Sequence, residues 1–434
     1  MTNNEGNPNA QMTKQCSGGA RHDSDFVIPS TLDMGHSSLL EGLIANAAQL
    51  AGVVRQIESA NRVAVDTEAD SLHSYREKLC LLQINVPAAD TAAGVADAGP
   101  RLSPGHEPER AVCDYIIDPL ADIDLEPLRR ALEAKEIVLH GADYDLRMLR
   151  RGLNLAASKI FDTMIAARLL GIREFSLAAL LKRYFGLTLL KGSQKANWAQ
   201  RPLPVRMAEY AINDVHYLLA LAEKLEAELD RNERRDWLRQ SCQRAIEQAA
   251  VARARDQDEL WRIRGSGLLR GRSAAVLRAL WQWREKEAEK ADRPPFHVLR
   301  NEELLKAAAK FASGSVPDYG HFSLRRRQAF HEAAQAALRA PESEWPVWRR
   351  RFGTRLSHAT VQRAEELRRR RDRSAEELGL EPSFIAPRST LEAIAADGTR
   401  AAALLVPWQR ELLGVSVFSN EEPTNPSPGS ALKA

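Results

Sequence analysis

The run RVAVDTE at residues 62–68 sets two carboxylates two residues apart at the end of an alternating apolar stretch. Residues at that spacing on a strand share a face, so Asp66 and Glu68 point the same way, just past Val63 and Val65. Two adjacent acids beside an apolar run are costly to bury and repel each other unless they are protonated or bridged by a cation. The chain must therefore either expose this strand end or deliver the pair to something positive. A lone D-x-E pattern is common, and by itself it favours the exposed strand end.

Two further segments change that balance. In HGADYDLRML, Asp145 shares a helix face with Met148 and Leu149, while Asp143 lies on another side and is expected in solvent or at the helix start. His140 ends the apolar run EIVLH and reads as a hydrogen-bonded core histidine. In EYAINDVHYLL, Tyr210 and Asp214 stand four apart and stack on one helix face. A phenol one turn from a carboxylate can hold or polarise water, although a lone buried tyrosine usually has a packing role. His216 and Tyr217 carry no assigned chemistry and are read as packing or surface residues. Together Asp66, Glu68, Asp145 and Asp214 offer the all-oxygen ligand set that two hard divalent cations need. Two such cations can clamp a phosphodiester for attack by water.

The flanking pattern is α/β. Residues 36–60, with Leu39, Leu40, Leu43 and Ile44 at helical spacing, read as an amphipathic helix. Strands are expected at RVAVDTE, CLLQINV, DYIIDP, EIVLH and KIFDT. Helices are expected at LEPLRRALEA and from Ala142 to Arg151, where Gly152 should stop the second. Residues 87–112 are rich in Pro, Gly and Ala and read as a hairpin insertion; 187–204 form a loop within an otherwise helical stretch. From about 257 the pattern is all helical. Residues 277–309 and 364–396 repeat the order helix, charged run, Pro, apolar run, helix, so two related small helical domains are expected. The division is a polar leader (1–35), an α/β domain (36–256), helical domains at 257–340 and 341–418, and a polar tail (419–434). No signal-peptide pattern or membrane-spanning run occurs, and the four cysteines form no CxxC pair, so a cytoplasmic protein without membrane, disulfide framework or zinc ribbon is expected.

Charge is unevenly spread. Residues 1–260 carry 31 Lys+Arg against 37 Asp+Glu, and residues 261–434 carry 30 against 21. An acidic front half would repel a polyanion unless cations neutralise its site, whereas the basic back half would attract one. Arg368 to Arg371 could contact phosphate, or could be a solvated helix face. Trp281 and Trp283 could stack on bases, though partial burial of each is the simpler reading. The glycines at 265, 267 and 271 lack the ending of a phosphate-binding loop.

In order, the three acidic segments resemble the exonuclease motifs of the DEDD superfamily, in its tyrosine subgroup. KLCLLQI, YIIDPL, KIFDTMIAARLL and the loop K-x-x-Q-x-x-N-W-x-x-R-P-L sharpen this to a resemblance to the ribonuclease D family. The segment from LWRIRG through LRNEELL resembles the helicase-and-RNase-D C-terminal (HRDC) domain. The resemblance spans roughly 36–415 and implies an α/β ribonuclease-H-like mixed-sheet domain followed by all-α HRDC-type domains. It implies Asp66, Glu68, Asp145 and Asp214 as ligands of two divalent metal ions, Mg²⁺ or Mn²⁺, with Tyr210 positioning the water. In the loop, Lys191, Gln194, Trp198 and Arg201 become candidates for substrate binding, while Asn197 stands where such proteins often carry Asp. The implied activity is 3′–5′ exoribonucleolytic hydrolysis releasing 5′-nucleoside monophosphates, with RNA as partner and transfer-RNA precursors as expected substrate. A DNA exonuclease on the same fold, or a catalytically silent RNA-binding protein, are the alternatives.

Overall fold

A computed structural model of the chain describes residues 43–88, 112–189, 192–251, 259–347 and 357–415. The expected leader, the tail, nearly all of the 87–112 insertion, Leu39, Leu40 and Lys191 lie outside these residues.

Six strands form one mixed sheet in the order β1-β4-β3-β2-β5-β6. They are β1 (Leu43–Ile44), β2 (Arg62–Ala69), β3 (Leu79–Pro87), β4 (Val112–Ile117), β5 (Glu136–Leu139) and β6 (Lys159–Asp162). β2, β3 and β4 run antiparallel to their neighbours in turn, while β5 and β6 extend β2 in parallel and β1 pairs in parallel with β4. β3 is buried from Leu79 to Val86, as a strand paired on both edges and covered on both faces should be. Its apolar residues Leu82, Ile84 and Val86 enter the main core, whereas Cys80 and Leu81 join a second cluster with Trp198, Leu203, Met207, Ala211 and Ile212.

Two expectations change. Leu43 and Ile44 are not helical: they pair with Ile116 and Ile117, and the helix begins at Ala47, where the Asn46 side chain accepts from the Gln49 N–H at 3.0 Å. The second helix, Asp143–Leu153, runs through Gly152 and ends at Asn154 with φ 54°. Gly152 serves close approach instead, since a Cβ there would sit 2.8 Å from the Leu79 side chain.

Beyond residue 259 the described residues form helices and their connections, with no strand among them. One arginine arrangement occurs twice, 87 residues apart. Arg284 donates to the Leu299 carbonyl at 3.2 Å and pairs with Glu285 at 2.9 Å. Arg371 donates to the Ala386 carbonyl at 3.0 Å and pairs with Asp372 at 2.6 Å. Each arginine fastens a long helix to the chain leaving a one-turn helix, Pro295–Val298 or Pro382–Ile385. Among the described residues no helix is long and apolar enough to cross a membrane.

Candidate active site

Asp66 and Glu68 lie near the end of β2 and partner Gln83 and Leu81 across β3. The helix Val205–His216 covers this face and supplies Asp214, so that one carboxylate oxygen from each of Asp66, Glu68 and Asp214 lies within 4.8 Å of the others. Asp145 reaches the cluster from the first turn of Asp143–Leu153 and is buried. It stands outside that 4.8 Å group, yet its charge acts on both Asp66 and Glu68. Its carboxylate accepts from the buried Thr67 hydroxyl at 2.6 Å. Thr67 is thus a site residue that the pattern did not single out; it alternates to the opposite face from its two acidic neighbours.

Asp162 is a second such residue. Its carboxylate accepts from the N–H groups of Gly141 (3.0 Å) and Ala142 (2.8 Å), just ahead of the helix that carries Asp145. It also caps the next helix through Met164 and Ile165. The loop it gathers is tight: Gly141 has φ +78°, and a Cβ there would meet the Met164 side chain at 2.8 Å. The aspartate of KIFDT therefore fixes the Asp145 helix without joining the acidic cluster.

The electrostatics are those of a site built for positive charge. Burial, then Asp214 and Asp145, push Glu68 up to about 9. Burial raises Asp145 to about 7 against the restraining Thr67 hydrogen bond, and raises Asp214 to about 6 against one from Tyr210. Asp66 is raised well above the ordinary carboxylate range by burial and then by Asp145, Asp214 and Glu68. The charged neighbours that act most on Asp66 and Glu68 are thus all carboxylates. Converging, partly buried, all-oxygen donors whose strongest charged neighbours among the described residues are carboxylates match what hard divalent ions require.

Tyr210 lies one turn from Asp214, and the electrostatics of its phenol are set by burial and then by Asp214, Glu68 and Gln194. Its ring is 6.0 Å from that of Trp198. The structure thus brings together Asp66, Glu68, Asp145, Tyr210, Asp214 and Gln194. Two loop residues serve differently from the expectation of substrate contact. Trp198 is 1% exposed, within the cluster beneath Tyr210. Arg201 makes a two-pronged pair with Asp118, both arms at 2.6 Å, and donates to the carbonyls of Cys80, Trp198 and Gln200. A guanidinium so occupied holds the loop to the sheet edge and has little left for a phosphate.

Other readings resolve simply. Asp143 is exposed and pairs with Arg147. His140 Nδ1 lies 2.9 Å from the Thr163 hydroxyl, and burial lowers its pKa. Arg368, Arg370 and Arg371 pair with Glu365, Glu366 and Asp372, so that arginine run is chiefly an ion-paired helix face. Trp283 is buried and Trp281 partly buried, so neither is an open stacking platform.

Comparison with known proteins places the chain. The 3′–5′ exonuclease family matches residues 105–230, and the HRDC domain family matches residues 273–313. A ribonuclease D from Pseudomonas paraeruginosa is 30% identical over 321 residues, which cover 70% of this chain and 84% of that protein. One from Jannaschia is 29% identical over 390 residues, or 86% and 94% of the two chains. The fold is shared with Escherichia coli RNase D, described as an exoribonuclease involved in structured RNA processing, at a TM-score of 0.61 and 21% identity over 86% of this chain and 96% of that one.

Proposed function

The chain belongs to the ribonuclease D family and is a 3′–5′ exoribonuclease, and we propose that Asp66, Glu68, Asp145, Asp214 and Tyr210 are its catalytic centre. The convergence of Asp66, Glu68 and Asp214 within 4.8 Å, with Asp145 acting on the same carboxylates, carries this reading. The four acids hold two divalent cations, Mg²⁺ or Mn²⁺. Such ions, when bound, supply the charge that lowers the pKa of water and offsets negative charge on a leaving 3′ oxygen. The protein residues align the rest. Thr67 fixes the Asp145 carboxylate, and Tyr210, steadied by Gln194, presents its hydroxyl where the attacking water must be held. Hydrolysis then releases a 5′-nucleoside monophosphate. The Escherichia coli protein's part in structured RNA processing makes structured RNA 3′ ends, transfer-RNA precursors among them, the substrate we favour.

The test is end-labelled RNA and DNA incubated with Mg²⁺ or Mn²⁺, comparing the parent with Tyr210→Phe and Asp214→Asn. Tyr210→Phe should cut turnover by about 10²-fold while Mn²⁺ binding persists; Asp214→Asn should impair Mn²⁺ binding itself. Because protons compete with cations for carboxylates held at about 6 to about 9, Mn²⁺ affinity should climb as pH rises through that window. Unchanged turnover in Tyr210→Phe removes the tyrosine from the mechanism, and a pH-independent Mn²⁺ affinity removes the acids. Degradation of DNA alone would reassign the substrate.

A further inference from the structure

Gln83 is fully buried in the middle of β3, yet neither its Nε2 nor its Oε1 has a hydrogen-bond partner. Buried side-chain amides are rarely left so, because both dipoles lose water without compensation. Its position says what it faces. Gln83 is the cross-strand partner of Asp66 on β2 and of Ile116 on β4. Directly opposed residues on antiparallel strands share a face, with Cβ atoms about 4.5–5.5 Å apart. That face lies under the Val205–His216 helix, since Ile116 packs in one cluster with Met207, Ala211 and Ile212. The orphaned amide therefore lies beside the acidic cluster, under the helix that carries Tyr210 and Asp214.

A polar chain leads away from it on the same face. Asn85, two residues along β3 and fully buried, donates to Asp114 at 2.7 Å, and the other Asp114 oxygen lies 2.5 Å from His216 Nδ1. The Asn85 Oδ1 is also without a partner. In the register, Gln83 stands between this anchored chain and Asp66.

We propose that Gln83 is a positioning residue for Asp66: its side-chain N–H donates to the Asp66 carboxylate when that carboxylate is ionised around a cation. This rests on the reading of Asp66 as a metal ligand. A neutral amide suits the task, because it orients a carboxylate without competing for it as a lysine or arginine would. Ligating carboxylates are held by such hydrogen bonds at metal sites generally, and losing one typically weakens metal affinity or activity about 10–100-fold.

Gln83→Met keeps the side chain's length and removes its polar atoms. In the full chain it should weaken Mn²⁺ binding about 10-fold or more and lower kcat on an RNA oligonucleotide, with KM held. Thermal stability without metal should not fall, since the lost group had no partner. Mn²⁺ affinity that stays within about twofold of the parent, well short of the usual loss, overturns the proposal. A crystal structure of the unaltered chain with Mn²⁺ needs no variant to fold. Gln83 Nε2 about 2.7–3.2 Å from an Asp66 oxygen supports the proposal, and an amide paired only with Asn85 overturns it. Asp66→Asn separates the two levels. If it leaves Mn²⁺ affinity intact, the metal-ligand reading fails; if it abolishes binding while Gln83→Met does not, only the role of Gln83 fails.

Discussion

The two helical regions share an internal plan but are attached to the catalytic domain by different physics. The one built on His358–Leu378 is fused to it: Leu367, Leu380, Ile385, Trp408 and Leu413 belong to the same buried cluster as the sheet. Trp408 stacks on Trp237 at 4.9 Å and 13°, and donates its indole N–H to Ser241 at 3.0 Å. Arg234 bridges the Leu169 and Leu378 carbonyls, and Arg168 lies 4.1 Å from the centre of the Phe384 ring. The region built on Gly271–Lys290 keeps its own core around Trp283 and Phe330. It touches the catalytic domain at the β2–β3 turn, where Tyr75 packs on that core, Arg76 pairs with Glu289, and Lys78 pairs with Asp292. Both ion pairs are largely exposed. Apolar fusion is insensitive to salt and pH, whereas exposed ion pairs are weak and screened. One duplicated helical plan thus yields a fixed part of the core and a detachable neighbour.

The largest effect should come from Trp408→Ala. Truncating a fully buried tryptophan typically costs about 3–5 kcal/mol, and here it also strips Trp237 of its stacking partner. Denaturant unfolding of the full chain should show the loss in the transition that reports the catalytic domain. A loss confined to a separate, earlier transition would show that the C-terminal helices fold apart, and the contrast would collapse. Gly171→Ala is the next step down. Gly171 has φ +76°, and a Cβ there would sit 2.5 Å from the Gly379 carbonyl oxygen across this interface. The left-handed backbone alone costs about 1–2 kcal/mol. Gly186→Ala is the control, with φ +71° and open space around the added carbon. A larger loss at Gly171 than at Gly186 measures the docked contact; equal losses would mean that the interface gives way.

This asymmetry was not legible in the sequence, although much else was. The strand pairs flanking Asp66 could be read because alternating and continuous apolar runs report burial directly. Asp66 with Glu68, and Tyr210 with Asp214, could be paired because strand and helix periods decide which residues share a face. Thr67 and Asp162 escaped because their value lies in partners 78 and 20 residues away, Asp145 and Ala142. Gln83 escaped because register decides its neighbour, and a strand pattern does not reveal its register. Arg201 was a candidate for substrate binding through the family resemblance alone, and a sequence shows a cation without showing its counter-ion, here Asp118. The +9 balance of the back half likewise does not say where its excess charge sits, because a sequence does not show which arginines, such as Arg368 and Arg370, face acids a turn away. Trp408 lies outside every acidic motif, so nothing marked it as the residue that fuses the last helices to the core.

The smallest effect belongs to the ion-paired attachment, and its sign can be worked out. Lys78 and the Tyr75 N–H hold the Asp292 carboxyl below its ordinary value, and Asp292 in turn raises Lys78. A carboxyl depressed by docking favours the docked state above its undocked pKa, and that contribution is lost as pH falls through the docked value. The raised lysine sets the alkaline limit, where docking weakens as pH climbs through its docked pKa. Between these limits, salt is the lever. At 1 M the screening length is about 3 Å, so the pairs should loosen while Trp408 stays seated. Hydrogen exchange on the full chain should then quicken in the β2–β3 turn but not around Trp237. Asp292→Ala combined with Glu289→Ala, which removes both pairs, should produce the same change at low salt and abolish further response to salt. The turn also binds the loop below the site through His73 and the Lys195 carbonyl at 3.1 Å, and the Asp145 helix through Glu77 with Tyr144 and Arg151. Loosening should therefore stop at the turn's outer side, because these inner contacts do not involve the helical region. Exchange that spreads into Asp143–Leu153 would show that the detachable region helps to hold the catalytic site, and the two attachments would then differ in strength but not in consequence.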